Sequence, residues 1–110
     1  MNKDPFLYID HIIESIHAID QYVGNLSKEE FLKSPQTQDA VCRRLEIIGE
    51  AANKLDTEFT EKYPHIHWYK IVGMRNLLIH EYFNVDLDQV WNTVKKSIPE
   101  LKQQILGIYR

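Results

Sequence analysis

The sequence predicts an all-α, up-and-down bundle of four to five helices, forming a single domain over residues 1–110 and dimerising through a partly apolar face. Three observations predict it. Apolar residues recur at three- and four-residue steps in four long segments, the spacing of one helix face. Only four Gly and four Pro are present in 110 residues, too few for a turn-rich β-sandwich, and most sit at segment ends where helices stop or start. No stretch alternates apolar and polar residues as a half-buried strand would.

The elements follow in order. Asp4-Pro5 pairs an N-cap side chain with Pro at the first helical position. Ile9, Ile12, Ile13, Ile16, Ile19 and Val23 then mark one stripe, which Gly24-Asn25 ends as an αL cap would. "SKEEFLKS" carries a capping box between Ser27 and Glu30 and predicts a short helix. Ser34-Pro35 repeats the start signal, with Thr37 as the other candidate cap. Val41, Leu45, Ile48, Ala52 and Leu55 follow in 4-3-4-3 steps, and Gly49 and Ala51 are small enough for a neighbouring helix to approach closely. "DTEFTEKYPHIHW" reads as a connector stopped by Pro64. The next helix runs from about His67 or Trp68 to Phe83. After Asn84, Asp86 and Gln89 suggest another capping box, opening "LDQVWNTVKKSIPELKQQIL", with a kink or restart expected at Pro99 and an end at Gly107. Helices joined by short links pack largely antiparallel.

Composition bounds function. Apolar residues make up 44% and charged residues 26%, with a formal net charge of −3. That balance argues against tight, non-specific duplex binding, which is driven by phosphate neutralisation. The single Cys42 excludes an internal disulfide and a cysteine metal cluster, and is expected to fill space in the core. The first ten residues lack the basic start and apolar centre of a secretory signal, and no apolar run reaches membrane-spanning length. The expected setting is the cytoplasm, with no membrane association.

"GMRNLLIHEYF", Gly73 to Phe83, concentrates the chemistry. With about 100° per helical residue, Asn76 lies roughly 100° and His80 roughly 140° from Arg75, and Tyr82 lies near −20°. The four polar heads share one arc, while Met74, Leu77 and Leu78 form the expected seam against the bundle. Val72 and Ile79 fall inside the polar arc, so the arc is expected to be covered, most simply by a second copy of the chain. Two copies meeting there bring two Arg–His sets together.

An arginine, an imidazole and an amide suit RNA cleavage that needs no metal and no cofactor. The substrate's own 2′-hydroxyl attacks the adjacent phosphate once a base removes its proton, and an acid protonates the leaving 5′-oxygen. Histidine titrates near neutrality and serves either task. Arginine offers planar donors to phosphate oxygens as charge builds. Elsewhere the signals are weaker. Arg43 and Arg44 on the second long helix could form a basic rim that steers RNA, though a solvated charged face shared with Glu46 and Glu50 is the plainer reading. Trp68, Tyr69 and Trp91 are expected in the core; an exposed Tyr69 would stack on a base. His65-x-His67, and His11 with His17, lack the further ligands a metal site needs.

"RNLLIHEYF" resembles the signature of the HEPN superfamily: Arg, four residues, His, one residue, Tyr. "DAVCRRLEIIGEAANKL", "PHIHWYKIVGMRN" and "VDLDQVWNTVKKSIPELKQQI" are similar to the remaining helices of the HepT-type toxins encoded beside minimal nucleotidyltransferases. The resemblance covers nearly the whole chain. It implies a homodimeric, metal-independent endoribonuclease toxin of a toxin–antitoxin system. Arg75 and His80 would be its catalytic pair, with Asn76 assisting. It further implies a cognate minimal nucleotidyltransferase antitoxin that neutralises the toxin by attaching AMP to Tyr82. His67 departs from the Pro often found there, at a helix start away from the site. Two other functions use the same residues differently: a non-catalytic nucleotide-binding or complex-forming module, and a plain helical scaffold.

Overall fold

The computed structural model describes residues 4–80 and 86–109, with the side chains of 76–80 and 109 outside the description. Its helices are α1 (Pro5–Val23), α2 (Lys28–Leu32), α3 (Pro35–Asn53), α4 (Thr57–Thr60), α5 (Trp68–His80), α6 (Leu87–Asn92) and α7 (Ile98–Leu106). A π-helical segment, Thr93–Ser97, joins α6 to α7, and a 3₁₀ turn, Gly107–Tyr109, follows. No strand occurs among the described residues, so the all-α expectation holds.

The starts are built as the side chains dictate. Asp4 Oδ1 accepts from the Phe6 N–H at 2.9 Å. Ser27 Oγ accepts from Glu30 N–H at 3.1 Å while Glu30 Oε1 accepts from Ser27 N–H at 2.9 Å, the reciprocal box. Ser34, not Thr37, caps α3, accepting from the Thr37 N–H at 3.4 Å and donating to Thr37 Oγ1 at 2.8 Å. Asp86 Oδ1 accepts from Gln89 N–H at 3.2 Å. Each satisfies an amide that the first helical turn leaves without a partner. Gly24 ends α1 at φ 50°, ψ −122°, which is not αL but a corner of backbone space open mainly to glycine.

Helix α3 is the centre of the packing, with α1 on one side and α5 on the other. Ile9, Ile12, Ile16 and Ile19 of α1 meet Val41, Leu45, Ile48 and Ala52 of α3, all buried. The two run antiparallel: Ser15 meets Arg44, whereas Leu7 and Tyr8 share a cavity with Ala51 and Lys54. Burial of each such large aliphatic chain stabilises the fold by about 1.5–3 kcal/mol.

Two further features depart from the sequence reading. The connector after α3 contains α4, capped by Asp56, whose Oδ1 accepts from Phe59 N–H at 2.8 Å. Phe59 is buried, with Phe6 edge-on at 5.7 Å and Tyr63 at 5.2 Å between ring centroids. This cluster explains the turn: an aromatic there closes one end of the core. Tyr69, by contrast, does not fill the core as expected but is 73% exposed, while Trp68 and Trp91 pack against it half-buried.

The kink or restart expected at Pro99 takes the form of a π-helical segment, after which α7 starts at Ile98 with Pro99 in its first turn. The amide of Ile98 donates to the carbonyl of Thr93, five residues back, so the turn ahead of the proline is one residue wider than an α turn. Pro99 has no N–H to give Lys95, and its ring would crowd that carbonyl in a regular helix; the wide turn relieves both. Val90, Val94 and Ile98 are all buried, although steps of four in a strict α-helix would swing each about 40° from the last. The wide turn takes up that rotation.

Gly49 is the contact point between α3 and α5. A Cβ there would run into Arg75 Cβ and crowd its backbone nitrogen at 3.0 Å. Gly49→Ala is therefore expected to destabilise the fold by about 1–3 kcal/mol. A Cβ on Gly73 meets nothing, so Gly73→Ala should be neutral or slightly stabilising. Thermal denaturation of the two variants side by side checks this. Cys42 is half-buried against the core, and burial, then Asp39 and Glu46, push its thiol up to about 11. At pH 8 the folded protein should then react with a thiol reagent roughly a hundredfold more slowly than the urea-unfolded chain, whose thiol titrates normally. Equal rates would contradict the shift.

Candidate functional site

One face of α3 carries Arg43, Glu46, Ile47, Glu50 and Ala51, and its C-cap Lys54 continues the same run of three- and four-residue intervals, so all share a side. Across from them α1 contributes Leu7, Tyr8 and His11. Between the two helices lies a cavity of about 460 Å³, and α5 adds Arg75 to its wall.

Arg75 reaches this cavity because of Gly49. With no Cβ on α3 at the crossing, the backbone of α5 comes close and the base of Arg75 rests on Gly49. The guanidinium then extends over the next turn, where Nη1 donates to Glu50 Oε2 at 2.8 Å. The Arg75 side chain is 21% and the Glu50 side chain 52% exposed. The pair therefore stands at the cavity wall, not inside the core. Ion pairs this open to water add about 0–1 kcal/mol to stability. The pair's significance is geometric, since it aims a planar donor group along the cavity.

This placement corrects the helical wheel. The seam was expected along Met74, Leu77 and Leu78, yet Ile71, which is buried, and the base of Arg75 meet the bundle too. Met74 is half-buried against the core; the side chains of Leu77 and Leu78 lie outside the described residues. Arg75 combines both settings, its stem in the seam and its head at the cavity.

Other candidates divide. Asn76 follows Arg75 in α5, and His80 ends the described helix, about 7.5 Å further along its axis by the helical rise. Their side chains, and Tyr82 altogether, lie outside the described residues. Arg43 lines the cavity, exposed. Arg44 does not share that rim: 100° further round the helix, it leans on α1, its Nη1 3.5 Å from Oγ of the fully buried Ser15. The expected Arg43–Arg44 pair is thus split between two faces. Glu46, half-buried, and Glu50, exposed, both line the cavity. His65 and His67 are exposed, and no group of three His, Cys, Asp or Glu side chains converges among the described residues.

Sequence reasoning missed Tyr8, His11 and Lys54. His11 was weighed only against His17 as a metal ligand, and Lys54 not at all. The available signal was the repeat on α3, which extends from Arg43 to Lys54. Their company became visible only once α1 was laid antiparallel to α3.

The described helices include none long and apolar enough to cross a membrane. The sequence profile of the "Ribonuclease HepT-like" family matches residues 12–108. A protein of Methanocaldococcus jannaschii named "Gamma-glutamylcyclotransferase and putative RNase" is 50% identical over 108 residues. These are 98% of this chain but only 49% of that protein, so the chain spans about half of that relative's length. A "Putative RNase" of Caldanaerobacter subterraneus subsp. tengcongensis is 44% identical over 106 residues, 96% of this chain and 95% of its own. A "Probable ribonuclease HepT" of Thermococcus cleftensis is 43% identical over 95 residues, 86% of each chain. No solved structure matches. With its all-α bundle, its Arg-x₄-His-x-Tyr motif and a profile match across residues 12–108, the chain belongs to the HepT-like ribonuclease family of the HEPN superfamily.

Proposed function

We propose that the protein is a metal-independent endoribonuclease, the toxin of a toxin–antitoxin pair, working as a homodimer with RNA held at a cleft between the copies. The observation that carries this reading is Arg75: the arginine of the family motif stands at the wall of a cavity with its guanidinium held there by Glu50. Membership of a ribonuclease family and the RNase names of its relatives support the reaction class.

The chemistry runs within the substrate. His80 takes the proton of a ribose 2′-hydroxyl, and the freed oxygen attacks the neighbouring phosphorus. Negative charge then grows on the phosphate oxygens, where Arg75 supplies paired donors, with the Asn76 amide assisting. As the bond to the 5′-oxygen breaks, that oxygen gains a proton from the second subunit's His80. A 2′,3′-cyclic phosphate and a 5′-hydroxyl result, and no metal enters the balance. Arg43 at the cavity and the exposed Tyr69 bind the strand. Arg44 turns to Ser15 on the neighbouring side of α3. A partner nucleotidyltransferase silences the site by transferring AMP from ATP to the Tyr82 oxygen with release of pyrophosphate. The bulky anion so attached blocks RNA.

A second reading, a non-catalytic nucleotide-binding or complex-forming module, draws on the same ion pair, because Arg75 meets its anion within the chain. Cleavage assays separate the two. His80→Ala is expected to lower the rate on RNA by about 10²–10⁴, and Arg75→Ala by about 10²–10³. Both should keep the helical circular-dichroism spectrum. Cleavage by the parent should persist in EDTA; its complete loss there would refute the metal-free mechanism. RNA left intact at high protein concentration, with nucleotides still bound in calorimetry, would select the second reading.

A further inference from the structure

The cavity beside Arg75 is larger than one phosphate contact requires, and its walls are ordered. Arg43 on α3 and Lys54, the residue that caps its C-terminal end, stand eleven residues apart, about 16 Å along the helix axis. Both are exposed, and neither forms an ion pair with another described residue. Arg75 projects between them, beside Glu50. Ile47 and the buried Ala51 make an apolar floor with the exposed Leu7 at its edge, and Tyr8 and His11 bring two rings from α1. The walls hold three Arg and Lys against two Glu, a local excess of positive charge in a chain whose net charge is −3.

Cations at the two ends, rings along one wall and an apolar floor fit a ligand with repeated negative charge and flat faces. Single-stranded nucleic acid has both. A cavity of this volume is the size of a small-ligand site, whereas stable protein partners bury broad surfaces. Three cations in a row, Arg43, Arg75 and Lys54, suit a strand that carries several phosphates better than a single one. The carboxylates are consistent with this. Glu46 and Glu50 accept hydrogen bonds from base N–H groups, while the phosphates run past Arg43, Arg75 and Lys54.

We infer that the groove between α1 and α3 is a single-strand subsite of the ribonuclease, in which Arg43 and Lys54 hold the phosphates on either side of the one at Arg75, and Tyr8 and His11 stack the intervening bases. It rests on the reading of RNA as the substrate. It adds Lys54, Tyr8 and His11 as binding residues, and Tyr8 and His11 precede the residues matched by the family profile.

The test is fluorescence anisotropy with a labelled single-stranded RNA twelve-mer, using the full chain with His80→Ala so that the RNA survives. Arg43→Gln with Lys54→Gln is expected to weaken binding at least tenfold. It should also reduce the slope of log affinity against log salt by about 1.4, two phosphates at about 0.7 each. Lys62→Gln with Lys96→Gln, exposed and outside the groove, should change affinity less than twofold. The inference is overturned by equal loss in both pairs, by no loss in the first, or by a parent that binds no RNA. It is likewise overturned if AMP alone binds as tightly as the twelve-mer, or if the groove variant splits a dimer in sedimentation, which would make the groove a subunit seam. Cleavage by the chain with His80 intact separates this from the proposed function. RNA held in the groove but never cut overturns the nuclease reading alone, and cleavage with an unchanged KM in the Arg43/Lys54 variant overturns the groove alone.

Discussion

The crossing of α3 and α5 at Gly49 governs both the fold and the site. Close packing of helices is set by the smallest side chain at the contact. Here that side chain is a hydrogen atom, and Arg75 occupies the room it leaves. Its stem packs against the bundle, while its charged end meets water and Glu50. Long cationic chains commonly divide themselves this way, with apolar stem packed and head solvated. A guanidinium so fixed loses little freedom when it meets a phosphate, which is what a preorganised donor requires.

Much of the fold was legible in the residues. Asp4, Ser27, Ser34 and Asp86 each cap the helix they precede, because a short oxygen-bearing side chain before an apolar stripe has few other uses. The isoleucines of α1 and the 4-3-4-3 steps of α3 are buried as their spacing requires. Gly49 was recognisable as a place of close approach. Helix α4 was harder, since four residues carry no periodicity; only Asp56 three residues ahead of Phe59 hinted at a capped turn with an aromatic to bury.

The site was legible as a list and not as an arrangement. A wheel drawn for one helix ranks its faces by apolar count, and on that measure Arg75 belonged opposite the bundle. The neighbouring helix decides otherwise, because a glycine on α3 draws toward itself whatever lies opposite. Arg43 and Arg44 illustrate the same limit. They are adjacent in sequence, so a helix sends them to different neighbours, one to the cavity and one to Ser15. Tyr69 was assigned to the core from its aromatic character alone, although a residue in the first turn of α5 can equally point to solvent. Pairing across elements is the information that single-helix periodicity lacks.

The π-helical segment ahead of Pro99 has a consequence for the far end of the chain. A surplus residue there is stored as girth instead of length, so the stripes of α6 and α7 stay in phase across the proline. Leu101, Ile105 and Ile108 consequently lie under α1 and its neighbours instead of drifting round to solvent. The inner side of α1 is thereby supported from beneath, leaving Tyr8 and His11 on its other flank to serve the groove. A proline about ninety residues downstream in the chain thus underwrites the shape of a wall built by the first helix.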